Sequence, residues 1–341
     1  MGVFIIAEAG VNHNGDADRA LRMIDVAAEA GADAIKFQTF SADRLAGPTA
    51  AKADYQARET GGGGQHEMLK ALEMSDELHR RLFARCTEAG IEFMSTPFDE
   101  EAADFLAALG MRRLKVPSGE VVNHPFLRHL AAKGLPMIVS TGMATMDEVR
   151  EAADVVREGW GGHPPEDPAP LSILHCTSNY PAAPEDVNLR AMTSIADTLG
   201  VPVGYSDHTL GAAVSIAAVA RGAVVIEKHF TLDRALPGPD HRASLTPEEL
   251  KDMVMAIRAV EAALGSDVKA PTEAELAVRQ VARRSVTAMR SLAAGAVIER
   301  EDVALLRPAT GIPPKHLDEV VGRRLARPVE AGTPLQWDDL A

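Results

Sequence analysis

The stretch "VPVGYSDHTLG", residues 201–211, sets Ser206, Asp207, His208 and Thr209 directly after a short apolar run and closes on Gly211. One polar strand end of this kind fits many folds, so its meaning depends on whether it is one of a set. It is. Short β-branched runs recur at 3–8, 34–38, 91–95, 112–116, 136–140, 171–176 and 224–229. Almost every one ends in reactive chemistry: Glu8; Lys36 and Gln38; Ser95 and Thr96; Lys115 followed by Ser118 and Glu120; Ser140 and Thr141; His175 through Tyr180; Glu227 with His229. Between them lie segments with apolar residues at helical spacing, such as "DRALRMIDVAAEAG" (18–31) and "TPEELKDMVMAIRAVEAAL" (246–264). The second opens with a capping box, Thr246 with Glu249. Gly31, Gly90 and Gly134 stand where helices are expected to end.

Strands and helices alternating in this way over residues 1–265 predict a (β/α)8 TIM barrel. An open doubly wound sheet is the structural rival. The barrel is favoured because polar residues gather at the C-terminal ends of many strands at once, where such barrels carry their chemistry. After Gly265 the texture changes. Residues 266–283 read as a linker followed by a short helix. Residues 284–341 carry a weak internal repeat, "AGAVIEREDVA" (294–304) and "AGTPLQWDDLA" (331–341), and enough proline to exclude long helices. They predict a small β-rich domain.

Composition narrows the partners. Hydrophobic residues make up 46% of the 341 and charged residues 25%, ordinary for a chain with a sizeable core. The formal net charge of −14 disfavours nucleic acid and acidic membranes as partners. An anionic substrate would need a pocket with its own positive charge. Two isolated cysteines, Cys86 and Cys176, make no disulfide framework. The N-terminus has no basic region, and no apolar run nears the ~20 residues of a membrane span. A cytoplasmic location is expected.

Side chains alternate across a strand, so Ser206 and His208 share a face, as do Glu227 and His229, and Lys36 and Gln38. If His208 and His229 point inward from adjacent strands, their rings can meet over the barrel mouth. With oxygen ligands added, such a pair suits Mn2+, Zn2+, Co2+ or Fe2+. Two histidines capping strands through backbone hydrogen bonds are the plainer alternative. Lys36 and Lys115 read as clamps for phosphate or carboxylate, as Schiff-base lysines, or as strand-end lysines reaching solvent. Hydroxyls of Thr96, Ser118 and Ser206 nearby favour an anion site. Glu8 and Glu120 are acid/base groups or counter-charges. Residues 43–66, with "TGGGGQHE" at 60–67, read as a flexible surface loop over the mouth, with a lid as the alternative. His13 faces the same mouth, and Asn14-Gly15 suits a turn.

These segments also carry a family resemblance. "FIIAEAGVNHNGD", "AIKFQTF", "FMSTPFD", "LKVPSGE", "STGMAT", "HCTSNYPA", "GYSDHTLG", "VIEKHFTLD" and "GPDHRASL" together resemble the sialic acid (N-acetylneuraminate) synthase family. The sequence from "RRSVTAMRSLAAGAVI" to the C-terminus resembles the SAF, or antifreeze-like, domain these enzymes carry. The resemblance implies that phosphoenolpyruvate condenses with N-acetylmannosamine, giving a nine-carbon 2-keto acid and phosphate. A 2,4-diacetamido-2,4,6-trideoxymannose leading to N,N'-diacetyllegionaminate is the alternative sugar. It further implies His208 and His229 as ligands of a divalent metal, Mn2+ first, with Mg2+ or Co2+ as alternatives. Lys36, Thr96, Lys115, Ser118, Ser206 and Thr177–Asn179 would hold phosphoenolpyruvate, with Ser178 or Asn179 facing its phosphate. Gln38, Glu120, Tyr180 and Asp240 would contact the sugar, and Glu8 would handle a proton. A domain-swapped homodimer is implied, with Arg283 touching the sugar's N-acetyl group. Two other classes stay open: a Schiff-base pyruvate aldolase and a non-catalytic sugar-binding protein. The chain begins at the first strand, which leads to the expectation of a more open barrel floor.

Overall fold

In the computed structural model, which describes residues 2–341, the chain forms two compact units, one ending at Gly265 and the other spanning Ser266–Ala341. The first holds eight parallel strands: β1 Phe4–Gly10, β2 Ala34–Thr39, β3 Glu92–Pro97, β4 Leu114–Val116, β5 Met137–Ser140, β6 Leu171–Cys176, β7 Val203–Asp207 and β8 Val225–His229. Their order is β3-β2-β1-β8-β7-β6-β5-β4, and β3 and β4 lie side by side, so the sheet is a near-closed TIM-like barrel. The open-sheet rival is ruled out because the two ends of this order, β3 and β4, lie together, while β1 pairs with β8, with Glu8 opposite His229.

Eight helices wrap the strands: α1 Ala17–Glu29, α5 Asp76–Ala89, α6 Glu100–Leu109, α7 His124–Ala131, α8 Met146–Gly159, α9 Ala191–Leu199, α10 Ala213–Ala220 and α11 Pro247–Leu264. Local chemistry sets their ends. Asp16 and Asp99 accept backbone N–H groups at the starts of α1 and α6, while Gly90 and Gly110 end α5 and α6 in the left-handed conformation.

Strand alternation sorts the barrel into two cores. Ile5, Ile35, Phe93, Leu114, Val139, Ile173, Tyr205 and Ile226 face the helices. Ile6, Ala34, Met94, Ile138, Leu174 and Val225 form a separate buried cluster that plugs the barrel. One step further along the inward face come Glu8, Lys36, Thr96, Ser140, Cys176, Ser206 and Glu227. At the floor, Arg113 lies 4.4 Å over the Phe4 ring and pairs with Glu92 at 2.7 Å.

The segment after β2 differs from the flexible loop expected there. It contains α2 Ala42–Leu45, α3 Asp54–Thr60 and α4 Gln65–Lys70. Its Met68 and Leu72 are buried with Val11 and Phe40, and Phe40 meets Phe98 edge-on at 6.0 Å. The glycines misled the reading. Gly61 ends α3 with φ +72° and Gly64 caps α4, so they separate two helices rather than loosen a loop.

The second unit begins with α12 Glu273–Ala282, followed by the antiparallel pair β9 Ser285–Ala288 and β10 Val303–Leu306, and a short α13 Leu317–Val320. Its core is small: Val286, Leu292, Ile298, Ile312, Leu325 and Leu335 are among the buried residues. The sequence repeat is structural. Arg290 donates to Asp302 at 2.5 Å in the first copy, and Arg327 to Asp339 at 2.5 Å in the second. Each aspartate also accepts the backbone N–H three residues before it, from Glu299 and from Gln336. Leu292 and Val329, equivalent in the two copies, exchange backbone hydrogen bonds at 2.8 and 2.9 Å.

Candidate active site

The inward residues at the C-terminal strand ends build a buried ion network. Lys36 Nζ lies 2.7 Å from Glu8 Oε2, donates to Thr96 Oγ1 at 2.7 Å, and stands 3.6 Å from Glu227 Oε2. Lys115 Nζ donates to Ser140 Oγ at 2.6 Å and to the Val116 carbonyl at 3.0 Å, and lies 3.7 Å from Glu227 Oε1. Ser206 donates to the same Glu227 oxygen at 2.9 Å. The four ionised groups are at most 6% exposed. Such a cluster is costly to desolvate and is tolerated because each charge has opposite partners. It is poor design for stability alone and suits a site that must meet charge.

The electrostatics separate the two carboxylates. Burial pushes Glu8 up to about 7, opposed by Lys36 and assisted by Glu227. Burial acts on Glu227 in the same direction, but Lys115 and Lys36 outweigh it and hold it down at about 2. Glu227 is therefore the standing counter-charge, and Glu8 is the carboxyl poised to hold or release a proton near neutrality. Burial also opposes the charge on Lys36, yet Glu227 and Glu8 hold its pKa above the ordinary value. Burial wins at Lys115 and lowers it.

Above this layer the two imidazoles meet. The His208 and His229 rings lie 5.6 Å apart between centroids, both nearly buried. His208 Nδ1 donates to the Thr177 carbonyl at 2.8 Å, which leaves the lone pair of a neutral ring on Nε2. His229 Nδ1 is buried with no hydrogen-bond partner. Burial, then the neighbouring His208, holds His229 well below the usual imidazole range, so it stays neutral. Gly10, at φ +53°, is required beside it, since a Cβ there would sit 3.3 Å from His229 Nδ1 and 3.3 Å from Glu8 Oε1. Burial opposes charge on His208, yet Cys176 and the Thr177 carbonyl hold its pKa above the ordinary imidazole value. In its neutral form it offers Nε2, and with the orphaned buried nitrogen of His229 it fits the divalent metal implied by the sequence. Among the described residues no third His, Cys, Asp or Glu joins them, so other ligands would be water and substrate oxygen.

Over the rings lies a cavity of about 440 Å³ lined by Gln38, Ser118, Ser178, Tyr180, His229 and Asp240, among others. The Tyr180 ring lies tilted against His208 at 4.1 Å, and Tyr55 of α3 stacks on Tyr180 at 5.0 Å. Burial pushes Asp240 up to about 6. Ser118 Oγ accepts the Gly142 N–H at 2.9 Å. A side chain on Gly142 would collide with Ser178 Oγ, so this glycine lets two hydroxyls and an N–H converge.

Not every expected residue joins this group. Glu120 is half-buried, binds Asn123 at 2.6 Å, and does not line the cavity. Asn179 is exposed, whereas Ser178 lines the cavity. Arg283 belongs to the second unit, where it lines a groove with Arg279, Arg284 and Lys315. His13 is buried, and its Nδ1 accepts the Gly15 N–H at 3.0 Å within the turn. Asp207 and Lys228, grouped in sequence with the mouth residues, point to the helices and pair there at 2.9 Å. Conversely, Glu227, Ser140 and Cys176 are part of the site although the sequence placed them only in the strand-end set and gave them no role, and Tyr55 joins from the segment read as a loop. The signal for Glu227 was present, since it shares a strand face with His229.

Comparison with known proteins agrees with this architecture. The NeuB family profile matches residues 23–269, and the SAF domain profile matches residues 283–341. The chain is 53% identical over its whole length to an N,N'-diacetyllegionaminic acid synthase of Legionella pneumophila, covering 95% of that protein. It is 42% identical to an N,N'-diacetyllegionaminic acid synthase of Campylobacter jejuni, over 94% of each chain. Among solved structures, an N-acetylneuraminic acid synthetase of Leptospira borgpetersenii, in complex with citrate, superposes with a TM-score of 0.72 at 35% identity. That match covers 82% of this chain and 90% of the other.

Proposed function

The chain belongs to the NeuB family, and on that premise we propose that it is a nonulosonic acid synthase condensing phosphoenolpyruvate with 2,4-diacetamido-2,4,6-trideoxymannose, yielding N,N'-diacetyllegionaminate and phosphate. The observation that carries this reading is the two-lysine, two-carboxylate network lying one residue layer beneath the paired imidazoles. The relatives favour the diacetamido sugar over the N-acetylmannosamine that the resemblance put first.

In this reading the residues divide the work. Lys36 and Lys115, with the hydroxyls of Thr96, Ser118, Ser178 and Ser206, hold the phosphate and carboxylate of phosphoenolpyruvate. His208 and His229 would hold a divalent ion, Mn2+ first, which supplies Lewis acidity toward the sugar's aldehyde oxygen. C3 of phosphoenolpyruvate attacks the aldehyde carbon, and positive charge develops at C2. The Glu227 carboxylate stabilises that charge. The aldehyde oxygen takes up the proton held by Glu8. Water adds at C2 and returns a proton to Glu8, and phosphate leaves by C–O cleavage carrying the proton of the new C2 hydroxyl. Gln38, Tyr180 and Asp240 orient the sugar, which brings the reacting carbons together. The reading includes a homodimer and a cytoplasmic location. Among the described residues no helix is long and apolar enough to cross a membrane.

The test is phosphate release from phosphoenolpyruvate by metal-stripped and metal-restored protein with each sugar. Metal-dependent release, faster with the diacetamido sugar, is expected. Turnover that survives chelation, with borohydride trapping a pyruvate adduct on Lys36 or Lys115, would instead establish the Schiff-base aldolase.

A further inference from the structure

The lining of the cavity over the imidazoles has two chemically distinct contributions. Toward the barrel rim lie Gln38, Ser118, Ser178, His229 and Asp240. The segment after β2 adds hydrocarbon to the lining, Leu45, Met68, Leu69 and Leu72 joined by Phe98, together with the amides of Gln56 and Gln65. This α2–α4 segment is held in place by its own buried cluster around Val11 and Phe40. No lysine or arginine lines the cavity among the described residues. The lysines of the ion network lie a layer lower, beside the imidazole end. Thus this chain's own residues supply positive charge where the reacting carbons meet and none along the cavity wall made by the α2–α4 segment.

From this geometry we infer that the α2–α4 segment is the specificity wall for the acceptor sugar, with Leu69, Met68 and Leu72 receiving its methyl and acetamido-methyl groups and rejecting hydroxylated or phosphorylated tails. The inference rests on the amino-sugar reading above and deepens it. A hydroxymethyl group set against this wall loses its water without gaining a partner, and a phosphate there meets no counter-charge. A methyl at the same position is simply buried. Gln65, which also lines the cavity, presents an amide donor and acceptor that match an acetamido group, and Gln56, whose carbonyl accepts the Ala53 N–H, adds an amide donor. Apolar pockets of this kind discriminate by about 10- to 200-fold per methylene.

The experiment measures kcat/KM of the full-length protein with three acceptors: 2,4-diacetamido-2,4,6-trideoxymannose, N-acetylmannosamine and N-acetylmannosamine 6-phosphate. Wild type should prefer the first and reject the phosphorylated sugar. Leu69→Gln should cut kcat/KM for the diacetamido sugar by about 10- to 200-fold, mainly through KM. The KM for phosphoenolpyruvate should hold, and the preference over N-acetylmannosamine should shrink. Leu69→Met should restore it. A Leu69→Gln variant that keeps the wild-type preference, or loses all sugars together with its phosphoenolpyruvate KM, overturns the wall assignment. So does a wild type that accepts the 6-phosphate equally well. Wild-type protein that releases phosphate with none of the three sinks the amino-sugar reading itself, and this inference with it.

Discussion

The barrel mouth and the C-terminal unit both bury carboxylates, and they hold them in opposite ways. In the C-terminal unit Asp302 and Asp339 each close their own turn, accepting a backbone N–H three residues earlier and an arginine twelve residues earlier. Each arrangement is local and appears twice because the sequence repeats. In the mouth, Glu8, Lys36, Lys115 and Glu227 come from four strands, β1, β2, β4 and β8, and none has its charged partner close to it in sequence. There the pKa values of the two glutamates are driven apart, to about 7 and about 2. Locally satisfied charge stabilises a turn. Charge assembled from distant strands costs stability and is retained for chemistry.

Experiments can break or sharpen this contrast. The largest effect is expected at the imidazoles: His208→Ala should abolish metal-dependent turnover while the far-UV circular dichroism stays unchanged. Full activity in that variant would end the ligand assignment. Next, Glu227→Gln should destabilise the protein by about 3–5 kcal/mol in denaturant titration, because it leaves two buried lysines undercompensated. Asp302→Ala, which removes one local cap, should cost only about 1–2 kcal/mol. Equal losses would erase the distinction between the two regions.

A third test uses pH, with one tryptophan per unit as reporter, Trp160 in the barrel and Trp337 in the C-terminal unit. Burial holds His13 and His241 down at about 4, and nearby Arg19 adds to the effect. Between about 4 and 6.5 the depressed histidines His13, His79, His229 and His241 bind fewer protons in the folded barrel than in the unfolded chain. They outnumber Glu8 and Asp240, whose raised pKa values act the other way, so barrel stability falls as pH drops through that window. Asp302 is held below its ordinary value by the Glu299 N–H and Arg290. Its contribution is present above about 3.8 and is lost only below that. Trp337→Phe protein, reporting through Trp160, should thus lose stability at higher pH than Trp160→Phe protein, reporting through Trp337. Coincident profiles would contradict the assignment. The smallest effect is expected for Arg283→Ala, which should raise KM for the sugar more than for phosphoenolpyruvate. The reverse pattern removes the arginine from sugar binding.

Much of the fold was legible because it rests on local pattern. Alternation placed Lys36 with Gln38 and Glu227 with His229, and helical spacing and caps placed α1, α5 and α11. The repeat in the C-terminal unit was visible for the same reason. The α2–α4 segment was misread because four consecutive glycines, Gly61–Gly64, suggested looseness. The burial of Met68 and Leu72 depends on Phe40 and Phe98, which only the folded chain brings to them.

The sequence alone determined which side chains share a strand face, since a two-residue period needs no knowledge of partners. It did not determine which strand lies beside which. That depends on register and on closure of the ring between β1 and β8, set by packing across more than two hundred residues of chain. Only the tertiary structure therefore decided that Glu227 joins two lysines, that Asp207 and Lys228 turn away to the helices, and that Met68, Leu69 and Leu72 line one cavity with His229.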